Sequence, residues 1–265
     1  MNQPYSPEVP KAGQLTYGSY LEVNALLSLQ KPESSPPHHD EMLFIIIHQA
    51  YELWFKLILH ELDTTIEFMA QKKILRAQHF LKRVVEIQKL LVQQIHILET
   101  MTPMEFLAFR DRLNPASGFQ SHQFREVEFI AGLKNKAYLK FFENEPEAKA
   151  KLEKRLNGPD LASSYKALLK STGYSVDTEE SFRQSLIEIY SNLEKDLPLY
   201  LLSETLVDFD QHLMTWREHH VKVVERLIGF KKGTGGSTGA EYLRSTLGQK
   251  AFPFLWEIRA DLKKG

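Results

Sequence analysis

Cysteine is absent from this 265-residue chain, which excludes disulfides, thiolate metal sites and cysteine nucleophiles together. An excess of either charge is missing too: 33 basic residues are interspersed with 34 acidic ones, for a formal net charge of −1. That balance provides no basic field for nucleic acid and no acidic tail. No run of about eighteen uncharged apolar residues suggests a membrane helix. The polar start Met1-Asn2-Gln3-Pro4 has no signal-peptide character, so a cytoplasmic protein is expected. Several catalytic spacings are lacking as well. Glu-x-x-His occurs nowhere, which argues against a carboxylate-bridged di-iron bundle, and His60-Glu61-Leu62-Asp63-Thr64 fails the HExxH zinc pattern. Neither GxxxxGK[ST] nor GxGxxG is found, and no nucleophile elbow of a serine hydrolase is expected.

Sustained strand-type alternation between turn signals is absent, as is any internal repeat. Apolar residues instead recur at steps of three and four, which predicts an all-α fold in one domain over 1–265. Helices are expected at about 16–29, 40–70 and 74–98, then from Pro103, with Thr102 and Glu105 forming a capping box. Further helices are expected at 121–133, 137–156 and 159–170, after an Asp177 to Glu180 capping pair, and over a long span at 198–230. The charged stretch 143–178 suggests a mobile helical subdomain at about 136–200.

Two histidines interrupt apolar stripes. In the last long helix, Leu206, Phe209, Leu213, Trp216, His220, Val224 and Leu227 share one face, and His219 is rotated about 100° from it. In the helix from 40, Phe44, Ile47, His48, Tyr51, Phe55 and Ile58 do the same. A core histidine bonded to a carbonyl fits such a position as well as a ligand does. Beyond His220 comes Gly233-Thr234-Gly235-Gly236-Ser237-Thr238-Gly239, whose amides and hydroxyls suit an anion. Gly229 and Gly233 serve equally well as helix-ending glycines. With the di-iron and HExxH patterns lacking, histidines that act singly remain, and the cofactor that typically needs only one is haem.

The runs 39–56, Asn114-Pro115-Ala116-Ser117-Gly118-Phe119-Gln120-Ser121 and 216–246, with Leu15-Thr16-Tyr17-Gly18-Ser19-Tyr20-Leu21, resemble tryptophan 2,3-dioxygenases. The resemblance covers roughly 15–135 and 201–246, and is vague between about 136 and 200. It implies haem b, with His220 as the proximal iron ligand, oriented by a partner at its other nitrogen, and Ser117, Gly118 and Val224 beside the macrocycle. It implies that His48 accepts the indole N–H and positions the ring, with Phe44 and Phe106 as walls. Arg110 would pair with the substrate carboxylate, and Thr234 would hold the amino-acid end. Tyr17, Tyr20 and Leu21 would reach a neighbouring subunit's pocket, which implies a homotetramer. The implied reaction takes L-tryptophan and O2 to N-formylkynurenine with no external reductant, and needs no deprotonation of the indole.

Overall fold

The computed structural model describes residues 9–235 and 238–263; residues 1–4 and Gly236–Ser237, which the sequence reading used, lie outside them. All twelve α-helices among the described residues are joined without a strand: α1 (Tyr17–Tyr20), α2 (Val23–Leu26), α3 (His39–Ala70), α4 (Ile74–Leu98), α5 (Pro103–Arg110), α6 (His122–Ala131), α7 (Pro146–Asn157), α8 (Leu161–Ser171), α9 (Glu179–Ser191), α10 (Leu193–Ile228), α11 (Ala240–Arg244) and α12 (Pro253–Glu257).

The centre consists of α3, α4 and α10. Buried positions of α4 run Ala77, Leu81, Val84, Gln88, Leu91, Ile95 and Leu98. Those alternating steps of four and three make a heptad seam. Leu199, Leu202, Leu206, Phe209 and Leu213 of α10 repeat the pattern. Polar groups in the seams are tied to backbone: Tyr51 Oη donates to the Leu91 carbonyl at 2.6 Å, and Gln88 Nε2 to the Phe209 carbonyl at 3.2 Å. By length and hydropathy α3 could cross a membrane, contrary to expectation. It packs on α4, α6 and α8 and buries Glu41 and Glu61, as a core helix does.

Several joints differ from the sequence expectation. The segment 16–29 forms two single turns broken by Glu22 in the left-handed region at φ 51°, and neither turn buries a residue. Residues 137–156 split into a 3-10 stretch, Lys136–Phe142, and α7, because Pro146 disfavours helix at Glu145 and so becomes the first residue of a new helix. The capping pair of α9 is Thr178 with Ser181 rather than Asp177 with Glu180; the Asp177 carboxylate faces Lys170 instead, at 2.7 Å. α10 reaches back to Leu193 across a break at Asp196, two residues before Pro198. Within 136–200, Leu161, Tyr165, Leu168, Phe182, Leu186 and Ile189 enter the main core, while Tyr138, Phe142, Ala148 and Leu152 form a smaller core with Phe129.

Asp210 fastens the C-terminal segment to α10. Fully buried, its carboxyl accepts from Ala251 N (2.9 Å), Phe252 N (3.2 Å) and Trp256 Nε1 (2.9 Å). Asp210→Ala strands three donors, and the expected loss is about 3–5 kcal/mol of unfolding free energy. Urea denaturation checks this; an unchanged midpoint contradicts it.

Candidate active site

A cavity opens where the helix stripes stop packing on one another. Its volume is about 270 Å³, and it opens to solvent at one side. From α3 come Phe44, His48, Tyr51, Glu52 and Phe55, and from α10 Trp216, Arg217, His220, Val224 and Leu227. Their spacing of three and four residues places each set on one helix face. Phe106 and Arg110 enter from α5, Ser117 and Gly118 from the turn after it, Arg125 and Glu128 from α6, and Thr234 from the glycine loop. The sequence-predicted residues of the body are therefore gathered in one place. Tyr17, Tyr20 and Leu21 are not among them: they are exposed and line no part of the cavity.

The two cavity histidines are held differently. His48 Nδ1 lies 2.6 Å from the Phe44 carbonyl. A carbonyl only accepts, so Nδ1 carries the proton and Nε2 is left as an acceptor. Burial lowers the His48 pKa, against opposing effects from the Phe44 carbonyl and Glu52, so the ring is neutral at pH 7. His220 is pushed down to about 4 by burial, with His48 and Arg125 adding to the shift. Its ring stacks on Trp216, with centroids 4.9 Å apart and planes 21° apart. The expected partner at the second nitrogen of His220 is not found among the described residues; the Trp216 stack is what fixes the ring. His219 faces away from the cavity towards His96, with ring centroids 5.3 Å apart.

Phe44 and Phe106 stack at 5.7 Å beside Phe109 and make an apolar slot. Next to it, Arg110 donates through Nη2 to the Lys232 carbonyl and forms no ion pair among the described residues. Thr234 Oγ1 donates to the Ala116 carbonyl at 2.6 Å. The loop is drawn so close to the preceding turn that a Cβ on Gly235 would stand 2.6 Å from Ser117 Cβ. Gly229 does cap α10 with a positive φ of 59°, but its ψ of −128° lies outside the left-handed helical conformation expected of a helix-ending glycine. Gly235-Gly236-Ser237-Thr238-Gly239 also conforms to GxSxG spacing, so spacing alone does not dispose of a serine elbow. Context does, because such an elbow follows a strand and this loop follows α10.

Sequence reasoning missed one group. Glu128 accepts from Arg125 Nη1 at 2.6 Å and from Arg217 Nη2 at 2.7 Å, and all three side chains are buried. Arg125 also lies 4.2 Å from the Tyr138 ring centroid, and its buried Nε has no partner among the described residues. The i, i+3 spacing of Arg125 and Glu128 was visible, but the pairing with Arg217 depends on tertiary packing. Glu128→Ala leaves two buried guanidinium groups against one another, and a loss of about 3–5 kcal/mol is expected. Thermal unfolding measures it, and Glu128→Gln, which keeps acceptor capacity, should lose less.

Known proteins resemble this chain almost end to end. The profile of the family described as Tryptophan 2,3-dioxygenase matches residues 3–185 and 178–262. A tryptophan 2,3-dioxygenase of a Nocardioides species is 48% identical over 257 residues, covering 95% of this chain and 96% of that one. The enzyme of that name from Herpetosiphon aurantiacus is 47% identical, covering 94% and 98%, and that from Caulobacter vibrioides 44%, covering 95% and 100%. Likeness of this extent includes every helix that lines the cavity as well as the loop that closes it, and places the chain in the tryptophan 2,3-dioxygenase family.

Proposed function

We propose that this chain is a haem-dependent dioxygenase that adds both atoms of O2 across the indole C2–C3 bond of L-tryptophan to give N-formylkynurenine, the first step of tryptophan catabolism by the kynurenine route. The observation that carries the reading is the convergence of His220, His48, Arg110 and Thr234 on one cavity.

The residues present suit a haem. An iron ligand has to be a neutral imidazole, and His220 is one at pH 7. The apolar walls accept a macrocycle, with Ser117, Gly118 and Val224 alongside it, and the unpartnered Arg125 Nε is suited to a carboxylate at its edge. Haem b, when bound, supplies the redox-active iron at which dioxygen is activated.

The rest of the work falls to the chain. Phe44 and Phe106, stacked on one another, wall the indole on one side and exclude water from it. Nε2 of His48 accepts the indole N–H, which fixes the rotation of the ring in the slot. Because the product keeps both oxygen atoms and the reaction needs no prior loss of the N–H proton, His48 positions the ring rather than serving as an obligatory base. Arg110 offers its remaining N–H donors to the carboxylate, and Thr234 with the loop amides holds the amino-acid end. Tyr17, Tyr20 and Leu21, exposed here, complete the pocket of a neighbouring copy in a homotetramer. A cysteine-free chain is in keeping with a cytoplasmic location.

Aerobic incubation of the ferrous, haem-loaded protein with L-tryptophan tests the reading through the absorbance of N-formylkynurenine; its absence in haem-replete protein refutes it. Arg110→Ala should keep its haem but lose on the order of 2–5 kcal/mol of transition-state binding, roughly thirtyfold or more in kcat/KM. Near-normal efficiency sinks that assignment.

His220→Ala should lose tightly held haem or regain it only with added imidazole, while His219→Ala keeps a histidine-ligated spectrum. The pH dependence has a definite sign. A histidine held below its ordinary value of 6.5, here at about 4, stays neutral as pH falls through 6.5. The free imidazole is therefore already unprotonated at pH 5 and iron bonding lowers its proton affinity further, so the ligated spectrum of the parent should hold from pH 7 to pH 5. Loss of that spectrum between pH 7 and pH 5 contradicts the assignment.

A further inference from the structure

His219 is spare in the reading above, yet it is not isolated. Where α10 crosses the end of α4 it meets His96, in the last turn of α4, and Glu99, the residue that caps that helix. His96 Nδ1 and Glu99 Oε2 are 3.2 Å apart, and ligand atoms of all three side chains lie within 4.8 Å of one another. Neither ring nitrogen of His219 has a hydrogen-bond partner among the described residues.

We propose that His96, Glu99 and His219 form a binding site for a divalent transition-metal ion, with zinc as the reference ion, on the outside of the α4–α10 seam and separate from the cavity. The chemistry matches in three respects. Two imidazoles and one carboxylate are a recurrent zinc donor set, with water filling the fourth position. Zinc–nitrogen bonds of about 2.0–2.1 Å place tetrahedral donors roughly 3.3 Å apart. His96 and Glu99 already stand at that separation, and His219 closes the remainder by side-chain rotation. Imidazole nitrogen also favours zinc, nickel and copper over magnesium and calcium, which prefer all-oxygen shells.

The scaffold is rigid where the ligands sit. His96 and Glu99 share a face at i, i+3 spacing, and next to them Ile95 and Leu98 are buried in the helix seam. The side chains of His96 and Glu99 remain 47% and 23% exposed, so an ion can enter without the core opening. A bound ion would bridge the end of α4 to the turn of α10 that carries His220, although the site itself rests only on the three residues named and not on haem.

The test uses untagged, haem-loaded protein and measures zinc by competition with a chromophoric chelator. The parent should bind one zinc ion per chain that excess magnesium does not displace. His96→Ala and His219→Ala should each weaken that binding by roughly tenfold or more. Glu99→Gln, which keeps both imidazoles and removes the carboxylate's charge, should weaken it in the same direction and supplies the answer if either alanine variant fails to fold. Far-UV circular dichroism and the Soret band of the same samples report folding and haem independently of zinc, so failure of the haem reading and failure of this one are told apart. Parent protein that binds no zinc at micromolar concentration overturns the proposal, as does unchanged zinc affinity in the folded variants.

Discussion

One carboxylate shared between two interior guanidinium groups sets the shape of this molecule. Glu128 joins Arg125, on its own helix, to Arg217, one turn before His220 on α10. A cavity of this size between helices tends to collapse, because every wall gains contacts by closing. Charged groups resist that: an ion triad taken out of water is tolerable only while its geometry is kept. The triad therefore fixes the spacing of α6 and α10 on one side of the cavity. On another side, Gln123 ties α6 to α3 by donating to the Glu52 carbonyl and carboxylate at 2.9 and 2.8 Å. Apolar seams below the cavity supply the stability, and polar ties around it supply the separation.

Within that frame the same side chain is used in two ways by changing one neighbour. His48 gives its Nδ1 proton to a carbonyl in its own helix, which leaves a directional acceptor. His220 has an aromatic stack and no carbonyl, so its nitrogens stay uncommitted. Burial keeps both neutral, and their mutual repulsion as cations adds to that for His220. Two neutral imidazoles facing one apolar space can serve a metal and a hydrogen-bond donor at the same time, which neither could do if protonated.

Much of this was legible from residue order. The α4 span, the Thr102–Glu105 capping box and the two histidine stripes depend on local periodicity and capping chemistry, and each is found in the fold. The stripe also separated His220 from His219, since adjacent helical residues point about 100° apart. What was illegible depends on distant partners. Asp210 sits within an apolar helix with no local sign that three donors from 251–256 converge on it. Arg217 looks like an ordinary charged residue beside Trp216 until α6 is placed against it. The break before Pro146 is readable from the proline itself, whereas the 3-10 stretch Lys136–Phe142 has apolar residues at steps that also suit an α-helix. The single-turn helices near the N-terminus show a related error: apolar spacing suggested a helix where no core exists to hold one.

The hydrogen bonds of Arg110 and Thr234 bear on selectivity. Each ties the glycine loop region to neighbouring backbone, Arg110 through the Lys232 carbonyl and Thr234 through the Ala116 carbonyl. An arriving molecule that recruits either donor exchanges partners with these two carbonyls. Such an exchange favours only a guest whose acceptor is stronger than an amide oxygen. A carboxylate qualifies, because charge-assisted hydrogen bonds are about twice as strong as neutral ones. On the proposed reading, an indole amine without that carboxylate leaves the charge-assisted pair with Arg110 unmade and is held less tightly for that reason.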